Sequence, residues 1–189
     1  MSGLLPGFAA AAADAQSCFR AVLEAMSRPG KIVGIAAALT PPAGLCAAAA
    51  ATLLTLADNT TSVSLPAGTA AAQDWLVFHT GARMAAAQAA DFVLAWDRPR
   101  LADLRQGSYD EPETSALLIL QVPAFEAGQR VRLSGPGIET ATRLDLPLDD
   151  GFMAEWAAQL RRSPLGIDIL LCAAAQVVGL PRSVTVEAV

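Results

Sequence analysis

Ser115-Ala-Leu-Leu-Ile-Leu-Gln-Val122 is a nearly unbroken apolar run entered through the acidic segment Asp110-Glu-Pro-Glu113. A strand that is apolar at consecutive positions has both faces covered, which marks the centre of a largely parallel sheet. On its amino-terminal side the pattern predicts a strand at 61–65, a helix at 69–78 and a strand at 91–96. An alanine-rich turn or helix fills 82–90, and a short helix lies near 101–106. Further upstream, Pro29-Gly30 ends a helix capped by Asp14, with Phe19, Val22, Leu23 and Met26 as its apolar face. Residues 31–35 then read as a short strand, Pro41-Pro42 as a turn and 44–57 as a largely buried helix. On the carboxyl-terminal side, 129–134 and 139–146 alternate apolar and polar residues around Gly135-Pro-Gly137, as a hairpin with one solvated face does. A helix at 148–162 follows, with Asp149-Asp150 at its start and Arg161-Arg162 at its end, charges that complement its dipole. Strands at 167–172 and 176–180 complete the sheet, and 185–187 extends it. Strands alternating with helices define an α/β fold, expected as one domain over 14–189 behind a flexible or extended segment, residues 1–13.

Of 189 residues 53% are hydrophobic and 16% charged, so the chain can build a sizeable core and keep apolar surface for a partner. A net charge of −5 opposes nucleic-acid binding, which depends on many cationic contacts to phosphate. The longest apolar run, 43–57, is too short and too rich in alanine and threonine to cross a membrane. The amino terminus has no basic region of the kind a secretory signal needs, so a cytoplasmic protein is expected. Cys18, Cys46 and Cys172 form no close pair and lie in apolar stretches, which suits reduced, buried thiols.

The motifs exclude several chemistries. Gly30-Lys31 is followed by Ile32, so no phosphate-binding P-loop exists there. Gly135-Pro-Gly137 lacks the third glycine of a dinucleotide loop and stands between strands. Ser134 has Arg132 where a nucleophile elbow requires glycine. With one histidine and widely separated cysteines, neither a zinc nor an iron–sulfur site is expected, and no cofactor is expected. The single lysine, Lys31, stands at a solvated edge, which argues against Schiff-base chemistry.

Six residues remain as possible ligand or interface positions. Arg20 and Glu24 are spaced as an i,i+4 pair on the first helix. Asp58 and Asn59 suit a turn, and the same groups could face a cleft at the carboxyl side of the sheet. His79 stands at a helix terminus, where it can cap carbonyls, pack at an interface or meet a ligand. Asp168 lies in an apolar strand and must have partners; anchoring to loop amides or to Arg182 is favoured over acid–base work.

Asp14-Ala-Gln-Ser-Cys-Phe-Arg-Ala-Val-Leu-Glu-Ala-Met-Ser-Arg-Pro-Gly30, Leu53-Leu-Thr-Leu-Ala-Asp-Asn-Thr60, Phe78-His-Thr80, Leu118-Ile-Leu-Gln-Val122, Pro164-Leu-Gly-Ile-Asp168 and Pro181-Arg-Ser183 stand in an order and spacing of their own. Together they resemble the H subunit family of the bacterial carbon–phosphorus lyase core complex, over about residues 14–187. The resemblance implies a three-layer α/β/α mixed sheet like the large domain of pyridoxal-phosphate-dependent transferases, without the cofactor. It also implies an accessory, non-catalytic role in phosphonate catabolism, supporting formation of ribose 1-alkylphosphonate 5-triphosphate from ATP and alkylphosphonate. The implied partners are a second copy of the chain and the G, I and J subunits. A competing reading of the residues is a phosphonate- or nucleotide-binding enzyme whose cleft gathers Asp58, His79, Asp168 and an arginine.

Overall fold

The computed structural model describes residues 4–126 and 128–189. The helix α1 (Ala11–Ser27) and the strand β1 (Val33–Gly34) lead into α2 (Ala47–Leu56), β2 (Ser62–Ser64), α3 (Ala70–Thr80) and β3 (Arg83–Met84). Then come β4 (Phe92–Ala95), β5 (Leu117–Gln121), β6 (Gln129–Ser134) and β7 (Thr142–Leu146). The chain closes with α4 (Asp150–Leu160), β8 (Asp168–Ala173), β9 (Gln176–Leu180) and β10 (Thr185–Ala188). Seven strands form a mixed sheet in the order β1-β9-β8-β5-β4-β2-β3, with β9 antiparallel to both its neighbours. A second, antiparallel sheet has the order β10-β6-β7.

The apolar run read at the outset is β5, the middle strand of the seven. Successive side chains on a strand point to opposite faces, and here both faces are core. Ile119, Leu94, Leu170 and Val177 enter one apolar cluster with α1, α2 and α3. Leu118, Leu120, Val93, Ile169 and Leu171 enter a second with Phe152 and Trp156 of α4 and with Val131, Leu133 and Leu146 of the small sheet. The layer opposite the three helices is therefore one helix plus a hairpin-based sheet. The α2 helix carries buried alanines at 48–51 on every side, and a helix apolar all round belongs inside.

Several expectations need correction. Asp14 does not cap α1; it sits within the first turn, where its carboxylate accepts from the amide of Ala10 at 2.9 Å. The buried face of α1 is Cys18, Val22 and Ala25, while Phe19 and Leu23 are 50% and 55% exposed. Packing distance explains the turn of the helix. Gly179 of β9 lies so close to α1 that a Cβ there would stand 2.5 Å from the carbonyl oxygen of Ala25, so only small side chains fit beneath. Glu24 does not pair with Arg20: Lys31 takes it at 2.5 Å and Arg28 at 3.6 Å. The strand expected over 31–35 shrinks to two residues, and part of the alanine-rich 82–90 stretch is β3, an edge strand of two residues held by β2. Residues 185–187 do not extend the large sheet; β10 pairs with β6 instead. The segment expected over 1–13 falls partly outside the described residues; from Leu4 to Ala10 it runs without regular structure to the start of α1.

Candidate functional site

Asp168 opens β8, and its carboxylate is the hub of a tight set of contacts. Arg182, two residues past the end of β9, donates to Oδ1 from its backbone amide at 2.7 Å. Its guanidinium adds Nε at 3.2 Å from both oxygens and Nη2 at 2.5 Å from Oδ2. The same guanidinium donates to the carbonyls of Pro112, at 2.8 Å, and Pro164, at 3.5 Å, and to the Ser115 hydroxyl, at 2.5 Å. One side chain thereby ties the entry of β8, the loop before β5 and the exit of β9. The anchoring foreseen for Asp168 is what the geometry provides.

Asp91, just ahead of β4, repeats the arrangement. Its Oδ2 accepts from the Ser62 amide at 2.7 Å and the Ser62 hydroxyl at 2.6 Å, and Arg105 holds Oδ1. Burial pushes the Asp91 carboxyl up, but the Ser62 bonds and the Arg105 guanidinium outweigh it and hold the group below the usual aspartate range. Both ion pairs face one cleft of about 400 Å³ with Glu113 and Met26. The cleft opens at the amino ends of β4, β5 and β8, the opposite end from that where α/β sheets bind ligands. Each cation in it already has its anion.

The other sequence-derived positions lie elsewhere. Asp58 and Asn59 sit ahead of β2, at the amino end of the sheet and not at its carboxyl side. The Asp58 carboxylate closes a turn by accepting from the amides of Thr60 and Thr61, at 2.8 and 3.1 Å. Bonds from the Thr60 hydroxyl and amide outweigh desolvation and hold it below the usual range. His79 does not cap α3. Its Nε2 lies 3.0 Å from the carbonyl oxygen of Leu5, and its ring packs edge-on to Trp75 and Phe78 beside Gly7. It thus fastens the amino-terminal segment to α3, helped by the Trp75 indole, which donates to the Pro6 carbonyl at 3.3 Å. Arg20 is exposed and has no ion-pair partner among the described residues. The structure brings Asp168 and Arg182 together and leaves Arg20, Asp58, Asn59 and His79 outside their cleft.

At the carboxyl ends of the strands, sequence reasoning overlooked a crevice. From β2 the chain moves outward to β3, whereas from β4 it steps the other way through β5 to β8. The reversal leaves a crevice beyond the carboxyl ends of the paired strands β2 and β4, the place where open α/β sheets take ligands. The crevice measures about 290 Å³ and is lined by Ser64, Leu65, Pro66, Trp96, Asp97 and Pro99. The Trp96 indole donates to the Gly44 carbonyl at 2.9 Å, and Gln121 bridges the same carbonyl and the Cys46 amide at 2.8 and 2.6 Å. Asp97, Ser64 and Trp96 give this crevice one carboxylate, one hydroxyl and an aromatic wall. The signal in the sequence was the position of Trp96-Asp97 directly after a parallel strand.

Burial pushes the thiols of Cys18 and Cys46 up and that of Cys172 well up, which makes them poor nucleophiles. Among the described residues no group of three or more His, Cys, Asp or Glu side chains is placed to hold a metal ion. No helix of the described residues is long and apolar enough to cross a membrane.

A mostly parallel sheet flanked by helices, with paired charges at its amino end and a crevice at its carboxyl end, defines a mixed α/β protein. The chain belongs to the PhnH family of bacterial phosphonate metabolism proteins, whose model matches residues 6–187. It is 35% identical to the alpha-D-ribose 1-methylphosphonate 5-triphosphate synthase subunit PhnH of Rhizobium meliloti (strain 1021), covering 92% of this chain and 90% of that one. It is 34% identical to the putative C-P lyase subunit protein HtxG of Stutzerimonas stutzeri, over 94% and 93% of the two chains.

Proposed function

We propose that this chain is a non-catalytic, accessory subunit of an alpha-D-ribose 1-methylphosphonate 5-triphosphate synthase of the carbon–phosphorus lyase type. In this reading it works as a homodimer and docks with the G, I and J subunits while the reaction proceeds on a partner. Its sheet is the large-domain sheet of pyridoxal-phosphate-dependent transferases, put to use as a scaffold. The observation that carries the reading is the engagement of Arg182 and Asp168. Both side chains are spent on each other and on the loops ahead of β5 and β8, so neither is left for chemistry. Full-length likeness to a synthase subunit supports the same conclusion. So do Phe19 and Leu23 on α1 and Phe78 on α3, exposed apolar side chains that a monomer would be expected to bury.

Co-expression of the tagged chain with the G, I and J subunits of its own organism tests the proposal. The four are expected to purify as one complex of fixed stoichiometry. Isolation of the chain without them, at any salt concentration that keeps the other three together, removes it from the assembly.

A further inference from the structure

Six of the twelve arginines have a carboxylate within 4.0 Å among the described residues: Arg28, Arg98, Arg105, Arg130, Arg132 and Arg182. Of the six that do not, three line a single groove. Arg161 and Arg162 at the end of α4 face Arg100 at the start of the 3-10 turn Leu101–Asp103, across a cleft of about 440 Å³ with Ala102 and Ala158 in its wall. Glu155, the one carboxylate lining it, is taken by Arg98 at 3.0 Å and by the Leu101 amide at 2.6 Å. Arg162 is steadied by the side-chain carbonyl of Gln106 at 2.8 Å. That contact fixes the guanidinium without cancelling its charge. In a chain of net charge −5 this is a local excess of cations: three arginines share the groove with one carboxylate, Glu155, which Arg98 already holds.

Guanidinium groups present paired donors that match phosphate oxygens, and three of them around a groove of small-molecule size suit a chain of phosphates better than one. We propose that this groove binds the triphosphate group of a ribose 5-triphosphate, the polyanion shared by a nucleoside triphosphate and by the synthase product. Arg100, Arg161 and Arg162 clamp the phosphates, and the apolar wall leaves the sugar directed outward to a partner subunit. The inference rests on the subunit reading above, because that reading places a triphosphate ester beside the chain. The subunit's contribution is then to hold the charged tail while the reacting end is handled elsewhere.

Calorimetry on the full chain tests the groove, with ATP, ribose 1-methylphosphonate 5-triphosphate, inorganic tripolyphosphate and AMP as separate probes at low and physiological salt. Saturable binding is expected for the three triphosphate probes, weaker at higher salt, and at least roughly tenfold weaker for AMP. The preference between ATP and the phosphonate ester tells which of the two the groove serves. Arg161→Gln and Arg100→Gln are each expected to weaken triphosphate binding by roughly tenfold, with an unchanged thermal midpoint as the control for folding. No saturable heat, equal affinity for AMP, or variants that bind like the parent would each overturn the proposal. If the double variant Arg161→Gln/Arg162→Gln loses co-purification with the other subunits but keeps triphosphate binding, the groove docks an acidic protein segment and the ligand assignment is wrong. Failure of the parent chain to co-purify sinks the subunit reading, and the calorimetry does not depend on that result.

Discussion

The cleft at the amino ends of β4, β5 and β8 and the groove at the end of α4 both gather arginines, and they hold them in opposite states. In the cleft Arg105 and Arg182 are each locked onto an aspartate, and Arg182 has only 18% of its side chain exposed. In the groove Arg100, Arg161 and Arg162 are exposed and have no carboxylate within 4.0 Å among the described residues. A half-buried charge without its partner is costly, so the first set is held by the fold itself. An exposed arginine costs little to leave alone, so the second set is free to meet something from outside. The lesson is that charge near a cavity identifies a binding surface only after the internal pairs have been subtracted.

The difference can be broken most strongly at Arg182. Replacing it with leucine removes the guanidinium from Asp168, Pro112 and Ser115 together and leaves a partly buried carboxylate with one amide donor. Urea denaturation is expected to show a loss of about 3 kcal/mol, below the full cost of a deeply buried pair because both partners keep some solvent. A loss under about 1 kcal/mol would mean that the pair is ornamental and that the two regions do not differ in kind.

A smaller effect is expected from acid. The native Asp91 carboxyl lies below its usual range, so the native state binds fewer protons than the unfolded one as the group titrates. Its stabilisation is complete above the ordinary aspartate range and is lost as pH falls through the native value. Thermal midpoints measured from neutral to acid pH should therefore fall less steeply for Asp91→Asn than for the parent chain. Parallel curves would show that the Ser62 and Arg105 bonds contribute nothing to the native state.

The smallest change belongs to the groove. Arg161→Gln and Arg162→Gln should each move unfolding stability by no more than about 0.5 kcal/mol, the usual range for exposed positions. A larger loss from either would show that these arginines serve the dipole of α4, as the sequence pattern suggests, and would bring the groove into line with the cleft.

The sheet and most helices were legible because their signal is local. Leu117–Gln121 reads as a buried strand from five consecutive side chains, and the hairpin of β6 and β7 reads from alternation around a glycine-rich turn. What escaped depended on neighbours. The face that α1 buries was misread because side-chain size at Phe19 and Leu23 outweighed the close approach of Gly179, which lies far along the chain. The two-residue β3 is too short for any periodic signal and exists only because β2 offers it an edge. In the cleft, Asp168 and Arg182 were legible as a candidate pair. Asp91 and Arg105 were not, since Asp91 stands at the first position of the strand read over 91–96, where a charge does not demand a partner as it does inside a run.

Taken alone, the sequence determined an α/β sheet with its central strand within residues 115–122, a shortage of lysine and histidine, and a set of segments shared with one family. Each of these is a property of residue identity and short-range spacing. The tertiary structure decided which arginines are neutralised and which are left open. Arg98 meets Glu155 across 57 positions, and Arg132 meets Glu187 across 55. Charge pairing acts over a few ångströms in space, and only the folded chain fixes which distant residues come that close.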